Sequence, residues 1–163
     1  INEFRSNRDT TRPVLFKISP DARDDEIEMM VDIAINNGID GFVAVNTTTA
    51  RPQPTSTRSR RAFSESGGLS GRPLRDRSLE IIRLVYKRVG KNHPIVGVGG
   101  IDGPQSAWDA ITSGATLIQL YSALVFNGPV VVKKTIRGLK RKLQQEGILN
   151  IQDAIGILSD NDR

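Results

Sequence analysis

Apolar residues along the chain fall into four short runs, and a stretch with helical spacing follows each run. The runs occupy residues 14–18, 42–45, 95–98 and 117–121. They are continuous rather than alternating, which is typical of parallel strands covered on both faces. We therefore interpret them as four buried β-strands.

The stretches between the runs predict helices, because apolar residues recur in them every three or four positions. The first such set is Ile27, Met30, Val31 and Ala34, and Gly38 marks its predicted end. Further helices are predicted over 79–89, from Pro104 to near Gly114, and over 132–143 with Gly147 at the end. The last of these has one apolar face, which we expect to be buried: Val132, Ile136, Leu139 and Leu143. A short final helix is predicted at 152–155.

The order of these elements places the chain in the α/β class with a parallel sheet, since repeated βα units imply right-handed crossovers between parallel strands. Two architectures share this order. One is an open four-stranded sheet, and the other is half of a (β/α)₈ barrel, which needs eight strands. The hydrophobic pattern alone favours neither.

The stretch from 49 to 66 interrupts the alternation of predicted strands and helices. It contains Pro52, Pro54 and four arginines, and we expect a long loop without structure of its own, either a functional lid or a disordered segment. In both architectures it leaves the carboxyl end of a strand, where α/β proteins bind ligands.

Charge and composition narrow the classes of function. The net charge is +5, with basic residues concentrated in 51–77 and 133–142. Aromatic residues do not interleave the first group apart from Phe63, and the second lies on the polar face of a predicted helix, so we expect no nucleic-acid binding. The chain has no cysteine, and no cluster of His, Cys and carboxylates predicts a metal site. No apolar run reaches the roughly 18 residues that would span a bilayer.

Several polar side chains follow the predicted strands closely enough to meet at one end of the sheet. Lys17 lies inside the first apolar run, where a buried ammonium group needs an anionic or hydrogen-bonding partner; the alternative is an edge-strand lysine that reaches water. The segment 46–48 (Asn-Thr-Thr) follows the second run and offers hydrogen bonds to a polar planar ligand, or serves only as a polar strand cap.

Glycine-rich segments predict an anion site near those side chains. The segment 67–71 (Gly-Gly-Leu-Ser-Gly) and the turn 97–100 (Gly-Val-Gly-Gly) allow close approach of the backbone to a ligand, although neither is a Rossmann fingerprint. Tyr121 and Ser122 end the fourth run. Because loops after the last two strands of (β/α)₈ barrels often hold phosphate, the glycine turn and Ser122 together predict a phosphate site.

Six segments carry a resemblance to a known family. They are PVLFKISP at 13–20, GIDG at 38–41, NTT with RP at 46–52, GGLSGRPL at 67–74, GVGG at 97–100 and QLYS at 119–122. In this order the chain resembles, nearly throughout, the second half of the quinone-linked (class 2) dihydroorotate dehydrogenases. The resemblance implies that residues 1–163 are the C-terminal half of a single FMN-binding (β/α)₈ TIM barrel domain, with the N-terminal half absent from the sequence.

The resemblance also implies roles for individual residues. The family oxidises dihydroorotate to orotate in de novo pyrimidine biosynthesis through FMN, and ubiquinone or a similar quinone accepts the electrons. Lys17 would stabilise charge on the flavin, and Asn46 and Thr47 would bind the orotate ring. The implied FMN-binding residues are Lys17, Val45, Ser70, Gly71, Gly99, Gly100, Tyr121 and Ser122. The implied quinone tunnel is bordered by Tyr121, Leu124 and Pro129. Val45 departs from the family, which commonly has a threonine there.

Other parts of the family's machinery are expected outside this sequence. They include the catalytic serine base and the N-terminal segment that associates with the membrane, so these 163 residues alone are expected to be inactive. The implied location is the mitochondrial inner membrane, with the periphery of a bacterial cytoplasmic membrane as the alternative. Two other functions stay open: a non-catalytic phosphate- or flavin-binding half-barrel, and an interaction module whose basic loop contacts anionic lipid.

Overall fold

Four short parallel strands form the sheet of the protein. The structure, a computed structural model, describes residues 12–53 and 56–160, so the predicted domain limits and Pro54 lie outside the described residues. The strands are β1 (Leu15–Ile18), β2 (Gly41–Ala44), β3 (Ile95–Gly97) and β4 (Leu117–Ile118). Each of the four predicted strands is confirmed, and the predicted parallel α/β class is confirmed with them.

Helices connect the strands, and they include the five that the sequence pattern predicts. They are α1 (Asp24–Asn36), α2 (Thr57–Phe63), α3 (Arg75–Val89), α4 (Pro104–Thr112), α5 (Ser122–Asn127), α6 (Val130–Gln145), α7 (Ile151–Ala154) and α8 (Ile157–Asp160). A 3₁₀ turn, Arg72–Leu74, leads into α3. Three acidic residues in the first turn of α1 favour its start through the helix dipole, and Pro104 begins α4 where its missing N–H costs nothing.

The order of the strands decides between the two architectures that the sequence left open. The strands pair in sequence order, β1-β2-β3-β4, without the reversal of order that characterises doubly wound open sheets. Helices α3 and α4 pack against the strands, and right-handed crossovers place successive helices on the same side of the sheet. A consecutive parallel sheet with helices on one side is the arrangement of a (β/α)₈ barrel wall.

The prediction that both faces of the strands are covered is met on one face only within the described residues, where helices pack on the sheet. On the helix side, Phe42 and Ile95 are fully buried. On the opposite face, Leu15 is 40% exposed and Leu117 is 59% exposed. This second face would form the interior of a closed barrel, where side chains from further strands would pack on it. The open apolar face therefore explains why the strands are continuously hydrophobic although helices cover only one side.

The predicted buried face of α6 was also wrong in part. Ile136 is 62% exposed, whereas Val131 and Thr135 are buried. The helix is turned because Gly138 contacts α4, where a Cβ would lie 2.2 Å from Cβ of Pro104. The backbone of α6 therefore approaches α4 more closely than any side chain at position 138 would allow.

The stretch from 49 to 66 is more ordered than predicted. It contains helix α2, which begins after Ser56; the Ser56 hydroxyl accepts a hydrogen bond from the Ser59 N–H. The base of this loop is closed by an antiparallel bridge in which Thr48 and Leu69 exchange two backbone hydrogen bonds, of 3.1 and 2.7 Å. Arg51 donates hydrogen bonds to the carbonyl groups of Thr48, at 3.2 Å, and Phe63, at 3.3 Å. The loop is thus tied at its base and across its width.

We expect the substitution Gly114→Ala to destabilise the protein strongly. Gly114 has φ of +124°, and a Cβ there would lie 2.4 Å from the Tyr86 ring. Backbone strain costs about 1–3 kcal/mol and overpacking about 1–3 kcal/mol, so the free energy of unfolding should fall by about 3–5 kcal/mol in a urea titration. Gly90→Ala is the control: Gly90 also has positive φ, but nothing lies near its Cβ position. Equal losses in both variants would show that contact with Tyr86 has no effect.

Candidate active site

A cavity of about 890 Å³ lies beyond the carboxyl ends of the strands. Strand β1 contributes Lys17, and the segments that follow β2, β3 and β4 contribute the other lining residues. The predicted site residues that line it are Lys17, Val45, Asn46, Thr47, Ser70, Gly71, Gly99, Gly100, Tyr121 and Ser122. Its volume is within the usual range of small-molecule and cofactor sites. Residues that are up to about a hundred positions apart in the chain therefore meet at one site.

Lys17 reaches the cavity from β1. It pairs with Val43 of β2 in the sheet register, and it is exposed on the open face of the sheet. Because Lys17 lines the cavity, its ammonium group supplies positive charge at the side of the site that faces the open sheet. Both sequence interpretations agree with this position, since β1 is also an edge strand.

The segment after β2 brings amide and hydroxyl groups to the cavity. The Asn46 backbone N–H donates to the carbonyl of Ile18 at 2.8 Å, and the Asn46 Oδ1 accepts from the Thr47 N–H at 2.9 Å. The third residue of the segment does not face the cavity. Thr48 is buried, and its hydroxyl donates to Asp21 rather than facing the cavity. Of the segment 46–48, only Asn46 and Thr47 are therefore available to a ligand in the cavity.

Val45 contributes apolar surface to the floor of the cavity. It is 2% exposed, and its N–H donates to the carbonyl of Val98 at 2.8 Å. The N–H is therefore used in pairing the strands. What Val45 can offer a ligand is its carbonyl group and side-chain contact.

Three loops form a cradle lined by backbone at one end of the cavity. The hydroxyl groups of Ser70 and Ser122 lie 3.0 Å apart, and a Cβ on Gly71 would lie 3.7 Å from the Ser122 side chain. Within the described part of the chain, the N–H groups of Gly71, Gly99, Gly100 and Ser122 donate no hydrogen bond. Free N–H groups and hydroxyls suit the oxygens of a phosphate group.

A charged cluster beside the cradle was missed from the sequence. Asp102 lines the cavity and accepts hydrogen bonds from Arg72, at 2.6 Å, and Arg75, at 2.5 Å. Burial alone would raise the pKa of Asp102, but hydrogen bonds from Arg72 and Ser106 and the charge of Arg75 hold it below its usual range. Arg72 and Asp102 are 30 residues apart in the chain. Their pairing could have been expected only because both follow the carboxyl ends of neighbouring strands.

The other side of the cavity carries aromatic side chains from α5 and the residue just before it. Tyr121 is 76% exposed and Phe126 is 85% exposed, and both line the cavity. Leu124 and Pro129, which were predicted to border the quinone tunnel together with Tyr121, lie outside the cavity lining. The structure thus brings one of these three residues to the cavity and leaves the other two on the adjoining surface.

Across residues 12–53 and 56–160, no three side chains of His, Cys, Asp or Glu come together as metal ligands. In the same ranges no helix combines the length and hydrophobicity that crossing a bilayer requires.

Comparisons with known proteins agree with this geometry. A family profile described as dihydroorotate dehydrogenase matches residues 2–143. The curated dihydroorotate dehydrogenase (quinone) of Natronomonas pharaonis is 43% identical over 149 residues, which cover 91% of this chain and 41% of that protein. The protein of the same name from Streptomyces coelicolor is 43% identical over 144 residues, covering 88% and 39%.

A solved structure gives the same result. The crystal structure of DHODH from Eimeria tenella in complex with ferulenol superimposes with a TM-score of 0.82 at 36% identity, covering 90% of this chain and 38% of that one. The chain thus spans about 40% of the length of the relatives it matches. Because the family profile matches most of the chain, this protein belongs to the dihydroorotate dehydrogenase family.

Proposed function

We propose that this chain forms the C-terminal half of a quinone-linked dihydroorotate dehydrogenase, which oxidises dihydroorotate to orotate through FMN. The observation that carries the proposal is the single cavity in which Lys17, the Asn46–Thr47 segment and the glycine-lined cradle meet. These groups are a cation, donors and acceptors for a planar ring, and an anion site. A flavin mononucleotide and a small cyclic substrate need this combination.

The cradle fits the phosphate group of FMN. Its free N–H groups come from Gly71, Gly99, Gly100 and Ser122, and the Ser70 and Ser122 hydroxyls lie side by side. When bound, FMN would supply the acceptor for the hydride that leaves the substrate. The protein's contribution here is to hold the phosphate by neutral donors and thereby fix where the flavin ring lies.

Lys17 and the Asn46–Thr47 segment would act at the ring end of the cavity. The Lys17 ammonium group would offset negative charge that develops on the flavin as it is reduced, and the effect is large where water is excluded. The Asn46 and Thr47 side chains would hydrogen-bond the substrate ring and orient the carbon that gives up hydride. The base that removes the accompanying proton is expected from the part of the barrel outside this sequence.

The apolar residues of α5 and the residue before it support the choice of a quinone as electron acceptor. Tyr121 and Phe126 place exposed aromatic surface beside the cavity, and Leu124, which is 41% exposed, extends that surface. An apolar quinone ring would bury such surface favourably. Relatives from Natronomonas pharaonis and Streptomyces coelicolor carry the quinone-linked name.

The cellular location follows from the proposed electron acceptor, because a quinone with a long apolar tail resides in a membrane. We propose a peripheral membrane location, attached through the N-terminal region of the whole protein. Mitochondrial inner membrane and bacterial cytoplasmic membrane both stay predictions, since related proteins come from organisms as different as Streptomyces coelicolor and Eimeria tenella.

The proposal is tested on the full-length protein. We expect the purified protein to show the visible absorption spectrum of bound flavin, and dihydroorotate added without oxygen to bleach it. Decylubiquinone should then restore the absorbance. Flavin binding without bleaching would identify the alternative, a non-catalytic flavin-binding barrel. A protein that binds no flavin after incubation with FMN would contradict the proposal altogether.

A further inference from the structure

A carboxylate outside the cavity controls how the segment after β2 is held. Asp21, in the turn between β1 and α1, accepts a hydrogen bond from the Thr48 hydroxyl. It also accepts hydrogen bonds from the Thr49 N–H at 2.8 Å and the Thr49 hydroxyl at 2.7 Å. One side chain therefore binds three donors that lie 27 and 28 residues further along the chain.

These contacts fix the residue that follows Thr47. Thr48 is tied by its hydroxyl to Asp21 and by its backbone to Leu69, with hydrogen bonds of 3.1 and 2.7 Å. On the other side of Thr47, the Asn46 N–H is bound to the Ile18 carbonyl at 2.8 Å. Thr47 is therefore the cavity-lining residue between two anchored neighbours.

Thr47 is also restricted from behind. A Cβ on Gly68 would lie 1.9 Å from the Thr47 Oγ1, so the backbone of Gly68 lies directly against this hydroxyl. If Thr48 shifted, Thr47 would move against Gly68 or away from it. The direction of the Thr47 side chain thus depends on the anchoring of Thr48.

We propose that Asp21 is a positioning residue for the substrate, which acts through Thr48 and Thr49 to aim Thr47 into the cavity. The inference rests on the proposed function and deepens it, because it assigns a role to a side chain that does not line the cavity. The three hydrogen bonds keep the pKa of the Asp21 carboxyl below its usual range, first through the Thr48 hydroxyl. Asp21 is therefore ionised, and so a strong acceptor, at neutral pH.

The test compares Asp21→Ala with Asp25→Ala in the full-length, flavin-loaded protein. Asp25 is an exposed carboxylate four residues away that pairs with Arg23 at 3.1 Å and has no link to the cavity. We expect Asp21→Ala to raise the orotate Kd in isothermal titration calorimetry at least about tenfold. The FMN content per chain should stay unchanged, because the cradle is formed by other loops. Asp25→Ala should match the wild type in both measurements.

A double-mutant cycle separates positioning from general weakening of the fold. In a Thr47→Ala background, Asp21→Ala should have little further effect on the orotate Kd, since its effect passes through Thr47. Additive effects, an unchanged Kd, or loss of FMN in parallel with orotate would each overturn the positioning role. Should Asp21→Ala not fold, Thr49→Val removes one of the three donors, and an unchanged orotate Kd in that variant would overturn it equally. If the flavin-loaded wild type binds no orotate, the proposed function itself fails.

Discussion

Replacing Lys17 by methionine in the full-length protein should slow flavin reduction by dihydroorotate at least about 100-fold, the usual loss when one charge-stabilising group is removed. Methionine keeps the length and apolar stem of the side chain but removes the charge. Lys17 is exposed on the open face of β1 and lines the cavity, so its substitution should not disturb the packed side of the sheet. The rate is measured by stopped-flow absorbance without oxygen.

The control is Lys91→Met. Lys91 is an exposed lysine between α3 and β3, at the opposite end of the sheet from the cavity. The flavin of the Lys91→Met variant should be reduced at the wild-type rate, which would exclude a general effect of lowering the net charge. Reduction of the Lys17→Met flavin at a rate within a few-fold of the wild type would disprove the role assigned to this ammonium group.

Replacing Gly100 by alanine should weaken FMN binding by a factor of about 100 or more. Gly100 has φ of +68°, and its Cβ would lie 2.6 Å from Cβ and 2.9 Å from the backbone N of Arg75. The neighbouring atoms are largely backbone and cannot turn aside, so the loop after β3 must move. Strain and overpacking of about 1–3 kcal/mol each are enough for this loss of affinity. FMN affinity is measured by fluorescence quenching on adding flavin to the apoprotein.

The matched variant is Gly103→Ala in the same loop. Gly103 has extended backbone and nothing within 4 Å of a Cβ, so alanine there should leave the FMN Kd nearly unchanged. Comparable weakening in both variants would indicate that any added methyl group in this loop disturbs binding. Wild-type affinity in Gly100→Ala would mean that the cradle does not hold the phosphate.

The site could be predicted largely because parallel strands bring their carboxyl ends together. Lys17, Asn46 and Ser122 were each identified from their position in or after an apolar run, and the structure places all three in one cavity. The family was predicted from motifs and is confirmed by the family profile. The roles of the individual residues stay predictions, because their chemistry depends on a ligand and on further strands.

What the sequence could not indicate depends on contacts between distant segments. The pattern of a strand such as β4 shows that Leu117 is apolar, but not whether a helix or another strand covers it. Asp21 and Asp102 resemble any exposed carboxylate until their partners, 27 to 30 residues away, are known. Helix α2 was missed because its sequence is rich in arginine and its capping partner is Ser59 rather than the Glu or Gln that usually signals a helix start.

The bridge between Thr48 and Leu69 lets the loop between them change in length without changing the site beside it. Because the two ends of the loop are joined by backbone hydrogen bonds, insertions or deletions at its tip, away from Thr49, Arg51 and Gly68, should change the length of the loop without moving Thr47 or Ser70. Lengthening such a loop costs little, since loop entropy grows only with the logarithm of its length. The tip of this arginine-rich loop is therefore a place where the sequence can vary, or where an epitope or a fluorophore can be inserted, while the geometry of the cavity is preserved.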